Sequence, residues 1–252
     1  MRLFSLRTSG NHERGSILSY HEDSVQGLIG PESWWVKDDT RFPKRGSLIL
    51  AYVPHVEQIP TRVTVIGRTD DPTCHDKAQV QFSPFNISER RKKASLPVAA
   101  LPEYPNEVRL LYRTKRRPLL VIGENGPQVD RKLTSGKPKW QTAPTLLVAP
   151  YYGRDEGSGK RSGYADAFVE RVLQCEYPQF FWERLPISGS DESILRFDHI
   201  QPIGNHHEAF DLTNRCLGKD ALDFIDEWLR WFIFGTLDKD GILPMVLEAL
   251  RK

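Results

Sequence analysis

Apolar residues in this chain fall into short runs separated by prolines, glycines and charge. Residues 46–53 (Gly-Ser-Leu-Ile-Leu-Ala-Tyr-Val) read as a strand, with Lys44 and Arg45 before it and Pro54 ending it, since proline cannot donate to a ladder. Residues 61–67 are β-branched with partial alternation, a second strand, and 79–82 form a short third one. Residues 108–112 and 118–122 are apolar enough for buried strands, with 113–117 as the turn between them. Residues 145–149 form a nearly all-apolar strand ended by Pro150, and 193–200 form another. The period lengthens near the end. Tyr164, Phe168, Val172 and Cys175 recur at helical spacing, which predicts a short helix over 164–175. Leu222, Ile225, Trp228, Leu229 and Phe232 make one helical face, with Asp220 as N-cap and Gly235 as stop. Pro244 opens a last short helix through Leu250.

The links between these elements are long and rich in breakers. Residues 68–107 hold Pro72, Pro84, Pro97, Pro102 and Pro105 and the basic run Arg90-Arg91-Lys92-Lys93, and read as an irregular insertion. Residues 123–144 read as loop, and 157–163 as a flexible basic loop. Residues 1–40 form an N-terminal extension whose Trp34 and Trp35 pack onto the body. Repeated βαβ units would need helices between the strands, and most of these links contain none. The pattern therefore predicts a mainly β (α+β) fold built on a small barrel.

Charge sharpens this only locally. The net charge over 252 residues is +2, but between Tyr112 and Arg161 there are 11 Lys or Arg against 4 Asp or Glu. Such a surface suits a polyanion, RNA or DNA, or is simply a solvated face. Cys74, Cys175 and Cys216 are odd in number and far apart, which argues against a disulfide framework or a zinc ribbon and fits a reducing cytoplasm. No secretory signal is visible and no run of about 18 apolar residues would span a membrane.

Strong enzyme motifs are missing. The segment Gly157-Ser-Gly-Lys-Arg-Ser lacks P-loop spacing, and no Gly-x-Ser-x-Gly elbow occurs. Histidines are the natural acid–base candidates near neutral pH: His55 after the first strand, His199 within the last, and the pair His206-His207 in a polar loop. If 193–200 alternates as a strand, Asp198 and His199 point to opposite faces and cannot share one site. No histidine spacing suits a metal, so neither a metal nor another cofactor is expected.

Four segments carry a family resemblance. Lys44-Arg45-Gly46-Ser47-Leu48-Ile49-Leu50, Arg117-Pro118-Leu119-Leu120-Val121-Ile122, Thr145-Leu146-Leu147-Val148-Ala149-Pro150 and Ser193-Ile194-Leu195-Arg196-Phe197-Asp198-His199-Ile200 follow one another as the main strands do in the PemK/MazF family of toxin-type endoribonucleases. The resemblance implies an SH3-like barrel spanning 41–252, enlarged by insertions at about 54–110 and 153–185 and followed by the amphipathic 220–234 helix. It implies metal-independent cleavage of single-stranded RNA, by attack of the 2′-hydroxyl on the adjacent phosphate. Arg117 matches the family's catalytic arginine, whose planar fork can grip phosphate oxygens. Tyr151 and Tyr152 stand where that family has a Thr or Ser, so either they substitute for it or the site no longer cuts. Arg116, Arg154, Lys160 and Arg161 would bind RNA around the same mouth. The implied partners are RNA, a second copy of the chain and an antitoxin. The alternative is a catalytically degenerate barrel that binds protein or nucleic acid.

Overall fold

The computed structural model describes residues 20–67, 71, 73, 76–89, 101–102, 104, 106–124, 129–137, 144–153, 164–187 and 192–250. The fold is mostly antiparallel β with several helices. In chain order the strands are β1 (Trp35–Lys37), β2 (Ser47–Pro54), β3 (Thr61–Gly67), β4 (Gln79–Pro84), β5 (Arg109–Leu111), β6 (Thr114–Gly123), β7 (Thr145–Gly153), β8 (Phe180–Glu183), β9 (Ser193–Arg196), β10 (Gln201–Gly204) and β11 (Asp211–Leu217). The chain divides into two compact units. One is Pro43–Tyr151 with Asp198–Thr213, and the other is Met1–Phe42 with Tyr152–Phe197 and Asn214–Lys252.

In the unit formed by Pro43–Tyr151 and Asp198–Thr213, β2 pairs with β6 from Leu48↔Leu120 to Pro54↔Thr114. β6 pairs with β7 at Leu119↔Pro150, and β7 with β10 at Val148↔Gln201. Ile49, Ala51, Leu119, Val121, Leu146 and Val148 make one buried apolar cluster, backed by Ile203, Phe210 and Leu212. Leu48 and Leu120 are buried as well, so β2 and β6 lose water from both faces. That explains their near-continuous apolar runs. Among the described residues the pairings in this unit follow an open path, β2-β6-β7-β10, and no closed barrel is found. A separate three-stranded sheet, β4-β3-β5, comes from the 54–110 stretch.

Three sequence expectations change here. Pro150 does not end the strand at 145–149: it pairs with Leu119 and β7 runs on to Gly153. Residues 113–117 are not the turn: β6 begins at Thr114, because β2 offers backbone partners as far as Pro54. A basic run can join a ladder when its side chains alternate outward. Residues 193–200 are not one strand: β9 ends at Arg196, and a 3₁₀ turn, Phe197–His199, precedes β10. In the other unit the Phe197 N–H donates to the Gln179 carbonyl at 3.0 Å and its ring stacks on Trp228, which fixes where the strand stops.

In the unit of Met1–Phe42, Tyr152–Phe197 and Asn214–Lys252, the core is aromatic. Trp34, Phe181, Phe224 and Trp228 interlock with centroids 5.1–6.1 Å apart. Helix Lys219–Phe234 supplies Phe224 and Trp228 from its buried face. It stops at Gly235 as expected, in the left-handed region at φ 66°. Its N-cap is Gly218 rather than Asp220, which lies in the first turn. The Glu227 carboxylate accepts from the N–H groups of Ile242 and Leu243, so one helix caps the next, Ile242–Leu250. The expected 164–175 helix is present as Asp166–Leu173. β1 pairs with β11 at Trp35↔Leu217, and both tryptophans of the N-terminal stretch are buried.

Candidate functional site

Alternation along β6 sorts its basic residues. Arg117 is two residues from Leu119 and so shares the face of the buried apolar cluster, opposite the small side chain of Ala51. It is only 9% exposed. Arg116 points to the other face, opposite the exposed Tyr52, and its guanidinium pairs with Asp211 at 2.6 Å.

The tyrosines separate. Pro150 faces Leu119, so it shares the Arg117 face, and Tyr151 next to it lies on the opposite one. Tyr151 is 1% exposed and belongs to the core. Tyr152 belongs to the other unit, where the Arg196 guanidinium lies 5.5 Å from its ring centroid. The same guanidinium donates to the Tyr164 hydroxyl at 3.1 Å. Arg154, Lys160 and Arg161 lie outside the described residues.

A second set of groups lies in the same unit as Arg117. β2 leads from Ala51 past Pro54 into a turn, in which the His55 N–H donates to the Arg113 carbonyl at 2.9 Å and the Gln58 N–H to the His55 carbonyl at 3.1 Å. This fixed backbone aims the His55 ring at Glu57, with Nδ1 3.1 Å from Oε1. Burial pushes the Glu57 carboxyl up, but its own backbone N–H, the His55 hydrogen bond and the charges of His55 and His199 outweigh it, so the group is held below its ordinary value.

The 3₁₀ turn before β10 changes the relation of Asp198 to His199. In an alternating strand they would point apart; in the 3₁₀ turn His199 Nε2 lies 3.9 Å from Asp198 Oδ2. The separation expected from strand alternation is corrected by the early end of β9. The His199 carbonyl accepts from Gln201 Nε2 at 3.3 Å. Both imidazoles are largely enclosed, with side chains 17% and 10% exposed. His206 and His207 lie in an exposed turn, as expected. Among the described residues no three His, Cys, Asp or Glu side chains gather in a group that could hold a metal ion.

An imidazole held beside a carboxylate, as His55 is by Glu57, can accept and donate protons near neutral pH. An enclosed arginine can hold an anion with little competition from water. The sequence named both histidines separately. The pairing of each with its carboxylate depends on turns at 55–58 and 197–199 that no periodicity announces.

Among the described residues no helix is long and apolar enough to cross a membrane. The chain matches no protein-family model, no curated protein and no solved structure.

Proposed function

We propose that the unit of Pro43–Tyr151 and Asp198–Thr213 is a PemK/MazF-like, SH3-like barrel core that binds single-stranded RNA and cleaves it without a metal. The observation that carries this reading is the strand order. Segments that resemble the family at 44–50, 117–122 and 145–150 are antiparallel neighbours as β2, β6 and β7, and the fourth segment ends in the turn that leads to β10. Arg117, the His55–Glu57 pair and His199 all belong to this one unit. Arg117 would hold the phosphate that gains charge during 2′-hydroxyl attack, where a planar guanidinium stabilises the transition state more than the ground state. The stretch 54–110, with its own small sheet, would be an insertion into that core, and 1–40 an extension. A second copy of the chain and an antitoxin are partners by analogy alone.

A second reading has its own support. Tyr151 and Tyr152 stand where the family has a Thr or Ser; Tyr151 is buried in the core and Tyr152 belongs to the other unit. A degenerate barrel that binds RNA or protein without cutting would tolerate that change. The two readings separate on one comparison. Mixed single-stranded RNA, in chelator, is incubated with wild-type and Arg117→Ala protein, and both cleavage and binding are followed. Cleavage by the wild type that falls at least a hundredfold in the variant supports the enzyme. Binding with no cleavage by either protein supports the module, and no binding at all removes both RNA readings.

A further inference from the structure

We infer that Tyr52 and Arg116 form a platform on which an unpaired base of single-stranded RNA stacks, on the face of the β2–β6 pair opposite to Arg117. The inference rests on the RNA-binding half of the reading above and does not depend on cleavage.

Strand β2 carries the first observation. All its other residues are buried or half-buried, and Tyr52 is 68% exposed. A tyrosine left in water inside a well-packed strand keeps a large flat apolar ring uncovered. Among the described residues its ring stacks on no other ring and its hydroxyl meets no partner.

The ladder sets what stands beside that ring. Tyr52 lies directly opposite Arg116, and the next pair on the same face is Leu50 opposite Pro118. Directly opposed side chains start about 4.5–5.5 Å apart at Cβ, so ring and guanidinium share one patch. Leu50 and Pro118 are half-buried and continue it as an apolar floor. The Arg116 guanidinium is tied down, since its Nη2 donates to Asp211 Oδ2 at 2.6 Å. That contact uses one edge of a five-donor fork. The flat face and the other N–H groups remain for a base and a phosphate.

Charge favours a polyanion as the occupant. Arg113, Lys115, Arg116 and Arg117 stand within five residues at the entrance of β6. Against them are Asp211 and, in the turn bonded to Arg113, Glu57. An aromatic ring beside an arginine in a basic setting binds unpaired bases, whose faces are open, and not the closed stack of a duplex. Arg117 shares the face of the buried apolar cluster, so the platform adds affinity and strand selectivity without touching the reacting atoms.

The test measures binding to the full chain by fluorescence anisotropy. The probes are a 2′-O-methyl RNA single strand of mixed sequence, which 2′-hydroxyl attack cannot cleave, the same strand with abasic sites, and its duplex. Tyr52→Ala should lose about 5–150-fold in affinity for the single strand, Tyr52→Phe threefold or less, and Tyr52→Ala should lose the preference for single strand over duplex. On the abasic strand Tyr52→Ala should match wild type within twofold. Arg116→Ala should weaken both strands and reduce the slope of log affinity against log salt by about 0.7. Thermal melts check that each variant is folded. If wild type binds the single strand and folded Tyr52→Ala binds it within twofold, or loses as much on the abasic strand, the inference fails and the RNA reading survives. A dimer that Tyr52→Ala dissolves, with RNA affinity unchanged, assigns the face to a second copy and also overturns the inference. If wild type binds no probe the inference fails, and if it also leaves unmodified RNA intact the RNA reading fails with it.

Discussion

Replacing Glu183 with Gln should flatten the pH dependence of stability. Glu183 ends β8 and is 1% exposed, in a core of aromatic rings. The Trp34 indole N–H donates to its Oε2 at 2.5 Å. The Tyr20 hydroxyl and the Arg184 N–H donate to its Oε1, at 3.3 Å and 3.0 Å. Burial dominates these hydrogen bonds and pushes the carboxyl from 4.5 up to about 8. The raised value fixes the sign: stability is fully present below the unfolded value near 4.5 and is lost as pH rises through about 8. At about 1.4 kcal/mol per unit, the loss approaches roughly 5 kcal/mol by pH 9. That is a large part of an ordinary folding free energy of about 5–15 kcal/mol. The assay is denaturant unfolding of wild type and Glu183→Gln at each pH from 5 to 9. Subtracting the two curves removes other titrating groups and any constant cost of the amide. Tyr20 is coupled to Glu183, but burial raises it too and keeps it neutral across this range. The wild type should lose several kcal/mol relative to the variant between pH 5 and 9. A difference curve flat within about 0.5 kcal/mol, or one that rises, would refute the reasoning.

Three other substitutions test the packing. Glu227→Ala removes the carboxylate that caps helix Ile242–Leu250, and should cost about 1.5–3 kcal/mol in denaturant unfolding, as hydrogen bonds to a charged group do. Gly218→Ala would drive a Cβ into the Ser33 carbonyl, where the Gly218 N–H also donates to Trp34 at 2.9 Å; a Tm fall of several degrees is expected, and a neutral result would contradict the close approach. Arg116→Ala breaks an exposed pair with Asp211 and should change stability by less than about 1 kcal/mol, while lowering the salt dependence of RNA binding if Arg116 contacts a phosphate.

How much of this was written in the sequence depends on the range of the interactions involved. β2, β3, β7 and helix Lys219–Phe234 follow from local pattern, because a buried face imposes its own period on the chain. The helix stop at Gly235 was equally legible, since only a left-handed residue was needed there. β1 and β11 were not. Asp211-Leu-Thr-Asn-Arg-Cys-Leu217 is mostly polar and carries Asn214 at φ 57°, so its strand character comes from its partner, not from itself. The start of β6 was hidden by the charge of Lys115, Arg116 and Arg117, which reads as a turn until β2 is placed beside it. At the site, each histidine could be named from its type, but not its neighbours. β9 ends at Arg196, and the 3₁₀ turn that follows brings His199 beside Asp198. Glu183 carried no signal, because a single Glu after Phe-Phe-Trp reads as an exposed strand end until Trp34 and Tyr20 arrive from far along the chain.

The most direct measurement is the chemistry of the RNA ends. Single-stranded RNA of mixed sequence is incubated with the full chain in chelator at pH 7, and the fragments are read by mass spectrometry. The proposed attack of the 2′-hydroxyl on the phosphate held by Arg117 predicts 2′,3′-cyclic phosphate and 5′-hydroxyl ends. Intact RNA, or fragments with 3′-hydroxyl and 5′-phosphate ends, would contradict it.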